Sequence, residues 1–429
     1  MHLFFCQEKF FDNKVERVYL KEGGSPFLFM NKEKLIIILT VLVDVLGVGV
    51  IIPTLPFYVQ RFGASPLQIT ALLAVFSFFS FLSSPILGSL SDKIGRKPVL
   101  VASIASTAAG WMIFASAKNI YGLFLGRIID GLAAGNYSTA QSCMADLTKD
   151  EKERTANLGQ LGALFGLGFI IGPMIGGLLS QISPNAPFWF SGILAALNAI
   201  LAIFFLPETN RHLVKDKKLN LNPFRPIFLA MAQKEILHLF VSLFLFNLGI
   251  AASQATFALY ASSVFSINAA QVGLIMSGMG VLMSLNQGLL LKNFWLPKFK
   301  EGDLELYGVI FLGISFIIAG VPMMWLFLLS ILIRVFAQSV SGTVLSSEIA
   351  AAAKPSNRGE IMGAASAVGS LATILAPILA GVFFGFYAPL PFYFSALCCV
   401  GIVAIVWTQR KKFQELSEPQ GDISTPSNV

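Results

Sequence analysis

The chain has 429 residues, of which 55% are hydrophobic and only 12% charged, with a net charge of +7. Soluble globular chains are about 25% charged. This composition therefore excludes an ordinary soluble domain and points to an integral membrane protein.

Residues 1–29 mix charge and aromatics without a clean period and lack the apolar run of a signal peptide. Met30, then Asn-Lys-Glu-Lys and an apolar run, reads as a natural start, with 1–29 an upstream extension rather than an amphipathic arm. Twelve apolar stretches long enough to span a bilayer follow, at roughly 35–57, 67–91, 98–116, 120–145, 155–181, 187–206, 235–262, 269–291, 304–320, 323–351, 359–384 and 389–408. Strand alternation is absent, so a β-barrel is not expected. The longest polar interruption, 207–234, separates six stretches from six. The implied organisation is a cytoplasmic extension 1–34, bundles 35–206 and 235–409 joined by the 207–234 loop, and a polar, disordered tail 410–429.

With the N-terminus inside, the inner loops and tails from Lys32 onward hold 22 Lys and Arg, and the outer loops hold two, Arg61 and Lys118. The positive-inside rule then puts both termini in the cytoplasm. The basic charge is topological, and nucleic-acid binding is not expected. Cys6, Cys143, Cys398 and Cys399 lack metal-ligand spacing, the three histidines form no cluster, and no nucleophile-base-orienter set is visible. No metal, cofactor or enzyme chemistry is expected. A GxxxxGK[ST] phosphate loop is missing too, so energy must come from an ion gradient or an external partner.

The two halves repeat. Arg127/Arg334 and Gly135/Gly342 are offset by 207 residues. Arg154/Arg358, Gly159/Gly363, Pro173/Pro377 and Gly177/Gly381 are offset by 204, and the same offset aligns Pro187-Phe-Trp-Phe-Ser191 with Pro391-Phe-Tyr-Phe-Ser395. Few polar residues lie deep in the apolar stretches. Asp44 is about ten residues into the first, with no basic residue within two turns. Asp130 sits at similar depth in the fourth, with Arg127 at i,i+3. Arg334 lies mid-way along the tenth, with Gln338 and Ser341 on its face, and Asn247 and Gln254 are seven apart on the seventh. A charge at mid-bilayer costs at least ~2.5 kcal/mol, so each is a functional candidate. Asp44 and Asp130 are the candidates for proton coupling; Arg127, Asn247, Gln254, Arg334 and Gln338 are candidates for a substrate cavity.

The stretch Gly88 to Leu100, GSLSDKIGRKPVL, reads as a short loop. Gly88 and Gly95 permit a tight turn, Asp92 can accept from a helix start, and Lys93, Arg96 and Lys97 add positive charge. It resembles the loop between helices 2 and 3 of major facilitator superfamily transporters. Gly168-Phe-Ile-Ile-Gly172-Pro173-Met-Ile-Gly176-Gly177 is similar to the helix-5 motif of that superfamily's drug:proton antiporters. Asp44-Val-Leu-Gly47-Val-Gly49 with Pro53-Thr-Leu-Pro56 resembles the first helix of the twelve-helix antiporters, tetracycline efflux proteins above all. Leu125-Gly126-Arg127 through Gly131, Ala145-Asp146, the Ile182–Pro187 turn and Pro207-Glu208-Thr209 are similar to that group as well.

The resemblance implies an all-α fold of twelve transmembrane helices in two pseudo-symmetric six-helix bundles around a midplane site, lined by helices 1, 4, 7 and 10. It implies an inner-membrane monomer whose partners are lipid, protons and a small-molecule substrate. It further implies that Asp146 pairs with Arg96 and, with Asp92, latches the inner side of the outward-open state, Glu348 being a relic of Asp146. The expected activity is proton-driven export of small amphipathic molecules. Helices 3 and 9 lack the acids tetracycline efflux proteins carry there, so tetracycline itself is not implied. Export of an endogenous metabolite such as a siderophore, or a non-transporting sensor or assembly partner on the same scaffold, are the alternatives.

Overall fold

A computed structural model describes residues 32–148, 151–210, 222–353 and 357–417. The extension 1–29 lies outside the described residues. Span 1 is Lys32–Ile51, continued after a turn by Leu55–Gln60. Spans 2 and 3 are Pro66–Ile94 and Arg96–Ser116. Span 4 is two helices, Ile120–Leu132 and Asn136–Asp146. Spans 5 and 6 are Glu151–Ile182 and Ala186–Phe205. A short helix, Arg225–Ala232, leads to span 7, Leu237–Phe265. Span 8, Ala269–Leu285, continues as a π-helix over Asn286–Trp295. Spans 9 to 12 are Glu301–Ala319, Met324–Ala352, Arg358–Phe386 and Leu390–Ser417.

Eleven described helices have the length and composition to cross a membrane. The twelfth expected one, segment 4, is interrupted over residues 133–135, and neither piece is long enough alone. The backbone there closes into tight turns, Ala134 N–H to Gly131 O at 3.3 Å and Gly135 N–H to Ala133 O at 2.7 Å. Two other expectations need correction. Gly88–Leu100 is not a loop: helix runs to Ile94 and restarts at Arg96, leaving Gly95 alone between them with φ of +110°. That conformation calls for glycine; a side chain at Gly88, in contrast, would meet open space. The last span also runs on to Ser417, so residues 410–417 are helical rather than an irregular tail.

The halves are built alike. Spans 2 and 8 both begin with a capping box, Ser65 with Gln68 and Asn268 with Gln271, each satisfying two N–H groups. Spans 1, 5 and 6 pack mutually as spans 7, 11 and 12 do, and span 3 packs on spans 4 and 6 as span 9 does on spans 10 and 12. Even single contacts recur. Ser191 Oγ donates to Pro187 O at 3.0 Å and Gly47 O at 3.5 Å; Ser395 Oγ donates to Pro391 O at 2.8 Å and Gly249 O at 2.7 Å.

Between the halves, span 5 lies against span 8 and span 2 against span 11. The first seam rests on the span-5 glycines. A Cβ on Gly172 would come within 2.7 Å of Gly49 Cα in span 1, and one on Gly177 within 2.8 Å of Ala270 Cα in span 8. Between helices in lipid, packing this close stands in for the missing hydrophobic drive. Large apolar side chains such as Leu197, Phe204, Leu397 and Trp407 point outward, as they should where the solvent is hydrocarbon. Gly172→Val, which meets backbone, should cost about 1–3 kcal/mol from overpacking and lower the melting temperature in detergent. Gly159→Val, on the same helix facing open space, should leave it unchanged.

Candidate functional site

The first half encloses a cavity of about 340 Å³ lined by spans 1, 2, 3, 4 and 6. Its polar wall follows from the break in span 4. Because the helix restarts at Asn136, that side chain turns toward span 1 and donates to Asp44 Oδ1 at 2.7 Å. The same amide lies 3.2 Å from Thr107 Oγ1 of span 3, and Thr107 in turn lies close enough to the Asp130 carboxyl to interact with it. Asp130 Oδ2 accepts from Arg127 NH1 at 2.8 Å, in a pair 6% exposed on each side. The guanidinium stacks over Phe76 at 4.3 Å and Trp111 at 4.6 Å, and Nε points at Leu72 O at 3.4 Å. Spans 3 and 4 reach this contact because Gly110 and Gly126 face each other's carbonyls.

Asp44 and Asp130, expected as separate candidates, thus belong to one series of neighbouring polar groups: Asp44, Asn136, Thr107, Asp130, Arg127. Asp44, with no basic residue within two turns in sequence, has the neutral amide of Asn136 as its hydrogen-bond partner. Asn136 and Thr107 were not anticipated as site residues. The only hint is the run Gly131-Leu-Ala-Ala-Gly135-Asn136, where two glycines flank a helix break and a polar residue follows it.

Of the second-half candidates, none lines this cavity. Asn247 is half-buried and donates to Leu243 O at 2.8 Å, one turn back on its own helix. Gln254 and Gln338 are half-buried, and Arg334 is buried beside Phe257 and Phe316. Far from the basic loops, Tyr58, Leu72 and Phe188 pack with Leu259 of span 7 and Phe384 of span 11, closing the halves together at that end.

At the basic end, Arg96 gathers the expected charges. NH1 lies 2.6 Å from Asp92 Oδ1 and 2.7 Å from Ser91 Oγ, and Nε lies 3.1 Å from Asp146 Oδ2. All these groups belong to the first half. The helix-start N–H groups expected to go to Asp92 go instead to Glu208, which accepts from Arg96 N at 2.8 Å and Lys97 N at 3.2 Å. Glu208 occupies the space a Gly95 side chain would need. A carboxylate at a helix N-terminus is favourable, and Glu208, noted in the sequence only as part of the Pro207-Glu208-Thr209 string, belongs to this set. Glu348 lies elsewhere, in a second-half cavity of about 620 Å³ with His238, Lys300, Asp303 and Glu305.

A helical bundle with an internal repeat, an interrupted span and ionisable side chains in its interior has the anatomy of a secondary transporter. The chain belongs to the Major Facilitator Superfamily, whose family description matches residues 37–300. It is 27% identical over 92% of its length to the whole of the class H tetracycline resistance protein of Pasteurella multocida. It is 24% identical to the quinolone resistance protein NorA of Staphylococcus aureus, over 91% of this chain and 99% of that one. The crystal structure of the human organic anion transporter MFSD10 matches with a TM-score of 0.65 at 22% identity, over 87% of this chain and 99% of that one. The chain is a multi-pass membrane transporter rather than an enzyme.

The Arg96 set makes a testable unit. Asp92→Asn and Asp146→Asn should each lower stability by about 1 kcal/mol, the scale of a partly exposed ion pair. The double variant should cost less than the sum, because both carboxylates share one guanidinium. Thermal unfolding of the four proteins checks this; strictly additive losses would mean that Arg96 does not couple them.

Proposed function

We propose that this chain is a proton-coupled exporter of small amphipathic molecules that works by alternating access. The observation that carries the reading is the buried chain from Asp44 through Asn136 and Thr107 to the Asp130–Arg127 pair. Ionisable groups held inside a membrane bundle mark ion pathways. Asp44, on a cavity wall and partnered only by a neutral amide among the described residues, is the proton carrier. Asp130, tied to Arg127, is the fixed end that senses it. Protonation of Asp44 changes what Asn136 can bond, and Thr107 relays that change toward Asp130. The positive-inside rule makes the basic end cytoplasmic, so the sealed end around Tyr58 and Leu259 is the outer side. The Arg96 set then braces the cytoplasmic end of the first half as one rigid piece, and rocking of the halves about the glycine seam supplies the alternation. The resistance names of the relatives support export, and the apolar, aromatic walls around Arg127 suit an amphipathic substrate.

The test is uphill transport in proteoliposomes with an imposed pH gradient, beside proton release on substrate addition in detergent. Asp44→Asn should reduce gradient-driven accumulation to that of empty liposomes while leaving downhill exchange measurable. Asn136→Ala should leave transport active but lower the number of substrates moved per proton, because Asp44 and Asp130 lose their link. Wild-type protein that binds substrate without flux would make it a sensor. Proton release undiminished in Asp44→Asn would remove Asp44 as the carrier.

A further inference from the structure

The repeat that aligns Arg127 with Arg334 also aligns Asp130 with Ala337, both at an offset of 207 residues. In the first half the arginine has a carboxylate 2.8 Å away. In the second half the equivalent position is a methyl group. Arg334 is nevertheless only 8% exposed, in the middle of span 10. Its Nε is sealed from the surface and has no acceptor. Among the described residues its polar surroundings are two aromatic faces, Phe257 at 5.6 Å and Phe316 at 5.9 Å. Rings at that distance soften a cation's burial without neutralising it.

The mid-span stretches of the second half do not supply the missing charge. Its sequence has no Asp or Glu between 236 and 300, between 306 and 347, or between 361 and 414. The two mid-span acids of the first half are already engaged with Asn136 and Arg127. A buried charge without a counter-charge is destabilising, and such charges in membrane spans persist where function uses them.

We infer that Arg334 is the recognition group for a carboxylate on the transported molecule, so that the substrate is an amphipathic anion or zwitterion. The proposal rests on the export reading for the word transported, and on Arg334 itself for the charge. A guanidinium fork matches a carboxylate with two parallel hydrogen bonds. Gln338, one turn along span 10, and Gln254, one turn before Phe257 on span 7, are half-buried neutral donors.

The experiment takes the full-length purified protein and a panel of amphipathic aryl carboxylates, each beside its own methyl ester. The wild type should gain several degrees of thermal stability from the acids and little from the esters. Arg334→Gln should erase that difference without lowering the ligand-free melting temperature, since it removes a charge that has no partner. Arg334→Lys, which keeps the charge and loses the fork, should retain part of it. Ala337→Asp, which restores the internal counter-ion of the first half, should abolish the preference for acids while the protein stays folded. The inference is overturned if no acid is preferred to its ester, if the preference survives in Arg334→Gln, or if Arg334→Gln lowers the ligand-free stability as a structural charge would. The same panel in proteoliposomes separates this from the export reading. Acids and esters moved equally would overturn the carboxylate site and keep export. Acid-specific stabilisation with no flux of any panel member would keep the site and overturn export.

Discussion

A charge in the middle of a hydrocarbon slab has to find its compensation inside the protein, because the solvent offers none. Much of the first half is arranged around that constraint. Arg127 is answered by Asp130, by two aromatic faces and by a backbone carbonyl. Asp44 is answered by Asn136, and Asn136 is available only because span 4 breaks and restarts beneath it. The break in turn leaves peptide groups over residues 133–135 to be satisfied by tight turns. Irregular backbone at this depth is tolerated where it lines a cavity, and a cavity is what it lines.

The second constraint is steric. Helices that must slide or rock against one another in lipid are held by close backbone contact rather than by water exclusion. Span 5 meets that demand on two sides at once, toward span 1 through Gly168, Gly172 and Gly176 and toward span 8 through Gly177. The glycine string therefore ties the helix carrying Asp44 to the helix that forms the seam with the other half. On the proposed reading, a change of protonation at Asp44 is mechanically next to the surface across which the halves move.

What could be read from the sequence was what has a period or a repeat. Long apolar runs fixed the helical class, and the aligned pairs announced halves whose contacts do recur, down to Ser191 and Ser395 each reaching a glycine carbonyl. The glycine string was legible because its spacing matches a helix face. Other features have no such signature. A break over two alanines and a glycine costs the hydropathy profile nothing, so segment 4 looked continuous. Thr107 and Asn136 are small polar residues of a kind usually spent on local backbone bonds, and only the crossing of spans 3 and 4 brings them to the carboxylates. Glu208 lies 112 residues from the N–H of Arg96 that it caps. Gly88 reads as a turn residue in a familiar string, yet it lies within the helix facing open space.

The two halves share a backbone plan and differ in how they handle charge. Arg127 sits with its carboxylate three residues on; Arg334 keeps the arginine and has Ala337 in the carboxylate's place. Had the second arginine been only a remnant, loss of its partner would have left it free to become an apolar residue, which burial at this depth favours. On the proposed reading, its lack of an internal counter-charge among the described residues separates the roles of the halves. The first holds both signs of charge in one set of neighbouring polar groups, suited on that reading to taking up and passing on a proton with little change in net charge. At mid-span the second holds one sign alone among the described residues, suited to a counter-charge that arrives and leaves. A transporter that couples two solutes needs those two kinds of site, and descent from one repeated unit with a single carboxylate differing between copies is a short route to both.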